Sequence, residues 1–133
     1  MIDPNEDVNA RLRRHLVETL ASRNTEAIVV VFFDQDKHFL AEEMMAEGGP
    51  DSVAIPIDDI IHRAKELKAK HLILVHNHRE GTGIEPSFLD GLATASVRFH
   101  TARHGLFVED HMVVGTDPGH PPSVWSMREG KAI

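Results

Sequence analysis

The chain has 133 residues, 41% of them hydrophobic and 26% charged, with a formal net charge of −7. That length fits one domain with its own hydrophobic core, and the absence of cysteine excludes disulfides and thiolate metal sites. The acidic balance runs against nucleic-acid binding, which draws most of its affinity from phosphate neutralisation. No apolar run approaches the roughly 20 residues of a membrane helix. Met1 to Leu20 lacks the basic start and apolar stretch of a signal peptide, so a cytoplasmic location is expected.

In chain order, Val8, Leu12, Leu16 and Leu20 recur every fourth position and predict a helix over 8–22. Arg11, Arg13 and Arg14 fit a solvated face of that helix. Ala27 to Phe33 is a β-branched and aromatic run, the pattern of a buried strand. Asp34-Gln35-Asp36 reads as a hairpin loop, with a return strand from His38 to Met45. Glu47 to Asp51 is a loop and Val53 to Ile55 a short strand candidate. Asp58 to Ala69 predicts a second helix, and Leu72 to Val75 a second buried strand that ends on His76-Asn77-His78. After a glycine-containing loop over 79–85, a long helix runs from Pro86 to about His104, with proline in its first turn. His111 to Gly115 and Ser123 to Met127 are the last strands. Strands interleaved with helices predict an α/β fold, a mixed sheet with helices on both faces. Residues 1–25 form an N-terminal helix packed on the domain and residues 26–133 the domain itself.

Ten histidines are many for this length. His76 and His78 are two apart on a strand, so both point to one face about 7 Å apart. Ligand sites in such folds lie beyond the C-terminal strand ends, where this pair sits. Zinc accepts imidazole nitrogen and carboxylate oxygen, and a catalytic site keeps three protein ligands and an open position. Asp90, one turn into the following helix, supplies a third ligand. Hydrolysis also needs a general base. Glu42 and Glu43 are the acidic candidates, and only one can face the site because neighbouring strand residues point to opposite faces. Ser87, three residues before Asp90, offers a donor to a substrate oxygen. Ser87-x-x-Asp90 is equally the pattern of a helix capping box.

These segments resemble the JAMM (MPN+) zinc metallopeptidases, and most closely the RadC-like JAB family of bacteria. His76-Asn77-His78, Pro86-Ser87-Phe88-Leu89-Asp90 and Asp110-His111-Met112-Val113-Val114-Gly115 match that family's three motifs over roughly residues 26–130. The resemblance implies a JAB/MPN-like three-layer sandwich, similar to cytidine deaminases. It implies a zinc ion held by His76, His78 and Asp90, a water nucleophile and a glutamate base. Counting back from Pro56 puts the base at Glu42, with Glu43 as fallback, and Ser87 takes the oxyanion-stabilising role. A peptide or protein substrate is implied, with ubiquitin-like partners known among the wider relatives. Arg79 stands where the family has proline, and the spacer from His78 to Ser87 is one residue longer. Residues 1–25 are too short for the family's helix-hairpin-helix region, which lowers the expectation of DNA binding further.

The main rival is a catalytically silent JAB-like domain that binds a partner protein. A nuclease reading of His-Asn-His fails because such nucleases spread those residues over a ββα unit. His100 and His104 share a helix face, but Thr101 stands where the zinc-protease spacing carries glutamate, so a solvated face is expected. Asp110-His111 is read as a structural pair.

Overall fold

The computed structural model describes residues 8–48, 54–79 and 82–133. Its elements are α1 (Val8–Leu20), β1 (Ala27–Phe33), β2 (Phe39–Glu47), α2 (Ile57–Leu67), β3 (His71–Asn77), α3 (Phe88–Ala102), β4 (Phe107–Gly115), β5 (Ser123–Ser126) and β6 (Lys131–Ala132). The strands form one mixed sheet in the order β2-β1-β3-β4-β5-β6. Alternation along each strand divides the apolar residues between two faces. Ile28, Val30, Phe32, Leu72 and Leu74 pack against Ile60, Ile61 and Ala64 of α2 and Val97 of α3. Val29, Val31, Val75 and Val114 pack on the other face against Leu16 and Leu20 of α1. The result is the expected α/β sheet with helices on both faces.

β1 lies between β2 and β3 and runs antiparallel to both. β3 and β4 are parallel, joined by the α3 crossover, as parallel neighbours require. Two consequences position the site. The start of β1 lies beside the end of β3, with Ile28 opposite His76. The ends of β3 and β4 lie together, with His76 beside Val113 and Asn77 beside Val114.

Most boundaries fall within two residues of expectation. The short strand expected at Val53 to Ile55 begins outside the described residues, and residues 54–56 are not in a strand. Parts of the loops around 49–53 and 80–81 also lie outside the described residues. Pro86 precedes α3 instead of sitting in its first turn, because Ser87 takes the N-cap. Strand β4 starts four residues before the expected His111, and β6 was not expected. No described helix is long and apolar enough to cross a membrane.

Candidate metal centre

The continuous apolar run of β3 is buried on both faces, which carries its last residues into the interior. His76 is 3% exposed. His78, just past the strand, keeps the ladder going by donating its N–H to the Val114 carbonyl at 2.8 Å. The two rings share a side, their centroids 5.0 Å apart.

Asp90 approaches from α3. Its Oδ1 lies 3.5 Å from His76 Nε2 and its Oδ2 3.3 Å from His78 Nε2. A capping box holds the carboxylate there. The Ser87 N–H donates to Asp90 Oδ2 at 2.7 Å, and the Asp90 N–H donates to Ser87 Oγ at 3.1 Å. The cap and the constellation are therefore one device, because the cap aims the carboxylate at the histidines. Burial alone would raise the Asp90 pKa, but His76, His78 and the Ser87 amide hold it well below the usual carboxylate range. The His78 pKa is raised, chiefly by its hydrogen bond to Asp90 and against the cost of burial. The other His78 nitrogen, Nδ1, donates to the Gly83 carbonyl at 3.2 Å.

Behind His76 runs a chain of hydrogen bonds that ties its tautomer to Thr94. Thr94 Oγ1 lies 2.8 Å from the Asp90 main-chain carbonyl and 2.5 Å from His111 Nδ1. When its one proton goes to the carbonyl, Thr94 Oγ1 accepts from His111 Nδ1. His111 Nε2 is left as an acceptor, and it receives the proton of His76 Nδ1 at 2.7 Å. A neutral His111 is required, and burial with the nearby His76 lowers its pKa to about 3. In that arrangement His76 Nε2 presents a lone pair. The atom is buried and makes no hydrogen bond among the described residues. Between a ring nitrogen and a carboxylate so placed belongs a cation, either a proton or a metal ion. That donor set of two imidazoles and one carboxylate suits zinc.

The structure does not bring Glu42 to this site, contrary to the sequence expectation. Glu42 pairs opposite Val31, whose side chain belongs to the α1 face of the sheet, whereas His76 alternates in phase with Leu72 and Leu74 of the opposite face. Glu42 Oε2 instead meets His15 Nε2 of α1 at 2.7 Å. Glu43 shares the histidines' face but is held in a fork by Arg63 of α2, with contacts of 2.6–2.9 Å. Besides Asp90, the carboxylate that reaches the histidines among the described residues is Glu26. Glu26, His76 and His78 each offer a ligand atom, all within 4.8 Å of one another. Glu26 sits just before β1 and is 9% exposed. The fully buried Asn77 clamps the backbone on either side of it, accepting from the Ala27 N–H at 2.8 Å and donating to the Thr25 carbonyl at 3.0 Å. Sequence reasoning missed Glu26. Its place follows from β1 running antiparallel to β3, with Ile28 opposite His76, which the residue pattern does not give.

His111, expected to be structural, stands directly behind His76. Its neighbour Asp110 does hold structure, accepting from the His111 N–H, Ser126 Oγ and the Arg128 N–H. His100 and His104 are exposed, as a solvated face requires.

A profile of the RadC-like JAB domain matches residues 6–131. Relatives called "UPF0758 protein" are similar to this chain. One from Rhodobacter capsulatus is 38% identical over 72% of this chain and 44% of its own length. One from Ruegeria pomeroyi is 38% identical over 73% and 43%. One from Acidithiobacillus ferrooxidans is 35% identical over 89% and 51%. The chain therefore spans about half the length of the curated relatives it matches.

Proposed function

The chain belongs to the RadC-like JAB domain family, and we propose that it is a zinc-dependent hydrolase of peptide or isopeptide bonds, with His76, His78 and Asp90 holding the ion. The observation that carries this reading is the buried Nε2 of His76, which makes no hydrogen bond among the described residues and lies 3.5 Å from Asp90 Oδ1. When bound, zinc lowers the pKa of water toward neutrality and polarises a carbonyl. The protein's own groups do the rest. Asp90 and the Nε2 atoms of His76 and His78 supply the ligand field. His111 and Thr94 keep the His76 Nε2 lone pair available. Glu26 takes a proton from the attacking water and hands it to the leaving nitrogen. Ser87, at the α3 cap, donates its hydroxyl proton to the substrate oxygen on which charge builds. The substrate is a peptide or protein, with ubiquitin-like proteins as one class to screen. Helix α1 covers one face of the sheet through Leu16 and Leu20 and takes no part in the chemistry.

The test compares Glu26→Gln with Glu42→Gln in the zinc-loaded protein, reading zinc content and cleavage of peptide and isopeptide substrates. Glu26→Gln retains zinc and loses about 10²–10⁴-fold in turnover, the usual worth of a general base. Glu42→Gln retains both. Loss of zinc from Glu26→Gln would make Glu26 a ligand, and loss of turnover from Glu42→Gln alone would overturn the assignment.

A further inference from the structure

Helix α3 carries two apolar stripes, and the fold uses one. Thr94, Val97 and Thr101 are buried toward the sheet. Phe88, Leu92 and Phe99 face outward at 81%, 53% and 64% exposure. With the exposed Ala95 and Ala102 they recur at intervals of four, three, four and three. A surface helix packed on one sheet needs a single stripe. A second one at heptad spacing is the seam of a helix pair, in which each side chain enters a hole on the facing helix.

From this spacing and the charges beside it we infer that α3 pairs antiparallel with α3 of a second copy of this chain. The stripe is bordered by Gly91 and Arg98 on one side and by Leu89, Ser96 and Arg103 on the other, all exposed. Arg103, the C-cap, keeps helical dihedrals and so stays in register. A parallel pair would set Arg98 of each copy against Arg103 of the other, two like-charge contacts. An antiparallel pair removes both. Arg98 then faces Gly91 of the second copy, and Arg103 lays its methylene stem over the second copy's Leu89. Ala95 falls at the centre, where its small side chain lets the helices approach. Phe99 of one copy meets Leu92 of the other, so the stripe is complementary to itself, as a two-fold interface demands. At about 200 Å² per phenylalanine, Phe88 and Phe99 alone expose roughly 300 Å². With Leu89 and Leu92 the patch reaches the upper range for a monomer surface, about 300–600 Å². It is still smaller than the roughly 800 Å² per partner of a standard interface, which places the pair in the weak, transient class. The inference does not depend on zinc.

The experiment is sedimentation velocity across the micromolar range on the full chain, with Leu92→Glu as the disrupting variant. Leu92 is exposed, so Leu92→Glu keeps the wild-type circular dichroism. Orientation is read by cross-linking, because the natural chain has no cysteine and a side chain at Gly91 meets open space. The wild type shifts from monomer to dimer with concentration, and Leu92→Glu stays monomeric. Gly91→Cys protein forms a disulfide with Arg98→Cys protein and not with itself. A monomer throughout, a dimer that survives Leu92→Glu, or self-cross-linking of Gly91→Cys overturns the proposal.

Discussion

His76 has two ring nitrogens in different surroundings, and a threonine proton links them. If Thr94 gives that proton to the main-chain carbonyl 2.8 Å away, each imidazole in turn donates in one direction and Nε2 of His76 is left to a metal ion. Thr94→Val breaks the chain at its source, since valine fills the space but cannot accept from His111. Zinc affinity should then fall about 10–100-fold, the usual cost of losing an outer partner of a metal-bound histidine. A competition titration against a chromophoric chelator reads this, and an unchanged affinity would mean that the tautomer is not set here. The ligand candidates were legible because their spacing has a geometric meaning. Residues two apart share a strand face, and an acid one turn into the next helix can reach back. Glu26, the glutamate that reaches the histidines, was not legible in the sequence. Counting back along the chain to Glu42 gives a position but not a face, and in a sheet one face is the wrong side of a buried layer. Glu26 follows only from knowing that β1 runs antiparallel to β3, and pairing direction is a tertiary fact.

Between elements, close approach decides how the site is shaped. At the end of β4, a Cβ on Gly115 would lie 2.6 Å from the Gly83 carbonyl oxygen, the atom that accepts from His78 Nδ1. Gly115→Ala must push the Gly83 loop away and release the His78 ring, so zinc binding should weaken by about tenfold while far-ultraviolet circular dichroism stays the same. Retained affinity would show that the loop does not orient His78. Helix α2 is tied to β2 by the fork between Arg63 and Glu43. Hydrogen bonding to Arg63 lowers the Glu43 pKa, against the cost of burial. A carboxyl with a depressed folded pKa adds stability that is present above its unfolded value and lost as pH falls through the folded one. Urea midpoints should therefore fall below about pH 4.3, the ordinary glutamate value, and Glu43→Gln should flatten that slope while lowering the neutral-pH midpoint. Equal slopes would mean that the fork does not persist in solution. Helices and buried strands were legible because period 3.6 and unbroken apolar runs differ. Short β6 was not, since two exposed residues carry no pattern.

Two apolar cores, neither of which includes the candidate metal ligands, run through the whole molecule. One core lies under α2 and α3 and the other under α1, and both are apolar networks that do not include His76, His78 or Asp90. The sequence allowed this expectation, because 133 residues suffice for a core without a metal staple. The order β2-β1-β3-β4-β5-β6 was out of reach, since sequence pattern gives faces but not neighbours. Removing metal should thus lower the melting temperature without unfolding the chain. Ligand linkage contributes about 2.7 kcal/mol at a hundredfold excess over the dissociation constant. The most direct test of the central claim is metal content by plasma mass spectrometry, on untagged protein dialysed after zinc loading, beside a His76→Ala/His78→Ala variant. About one zinc per chain is expected in the wild type and none in the variant, with both proteins folded. No zinc in the wild type, or equal zinc in the two, would contradict it.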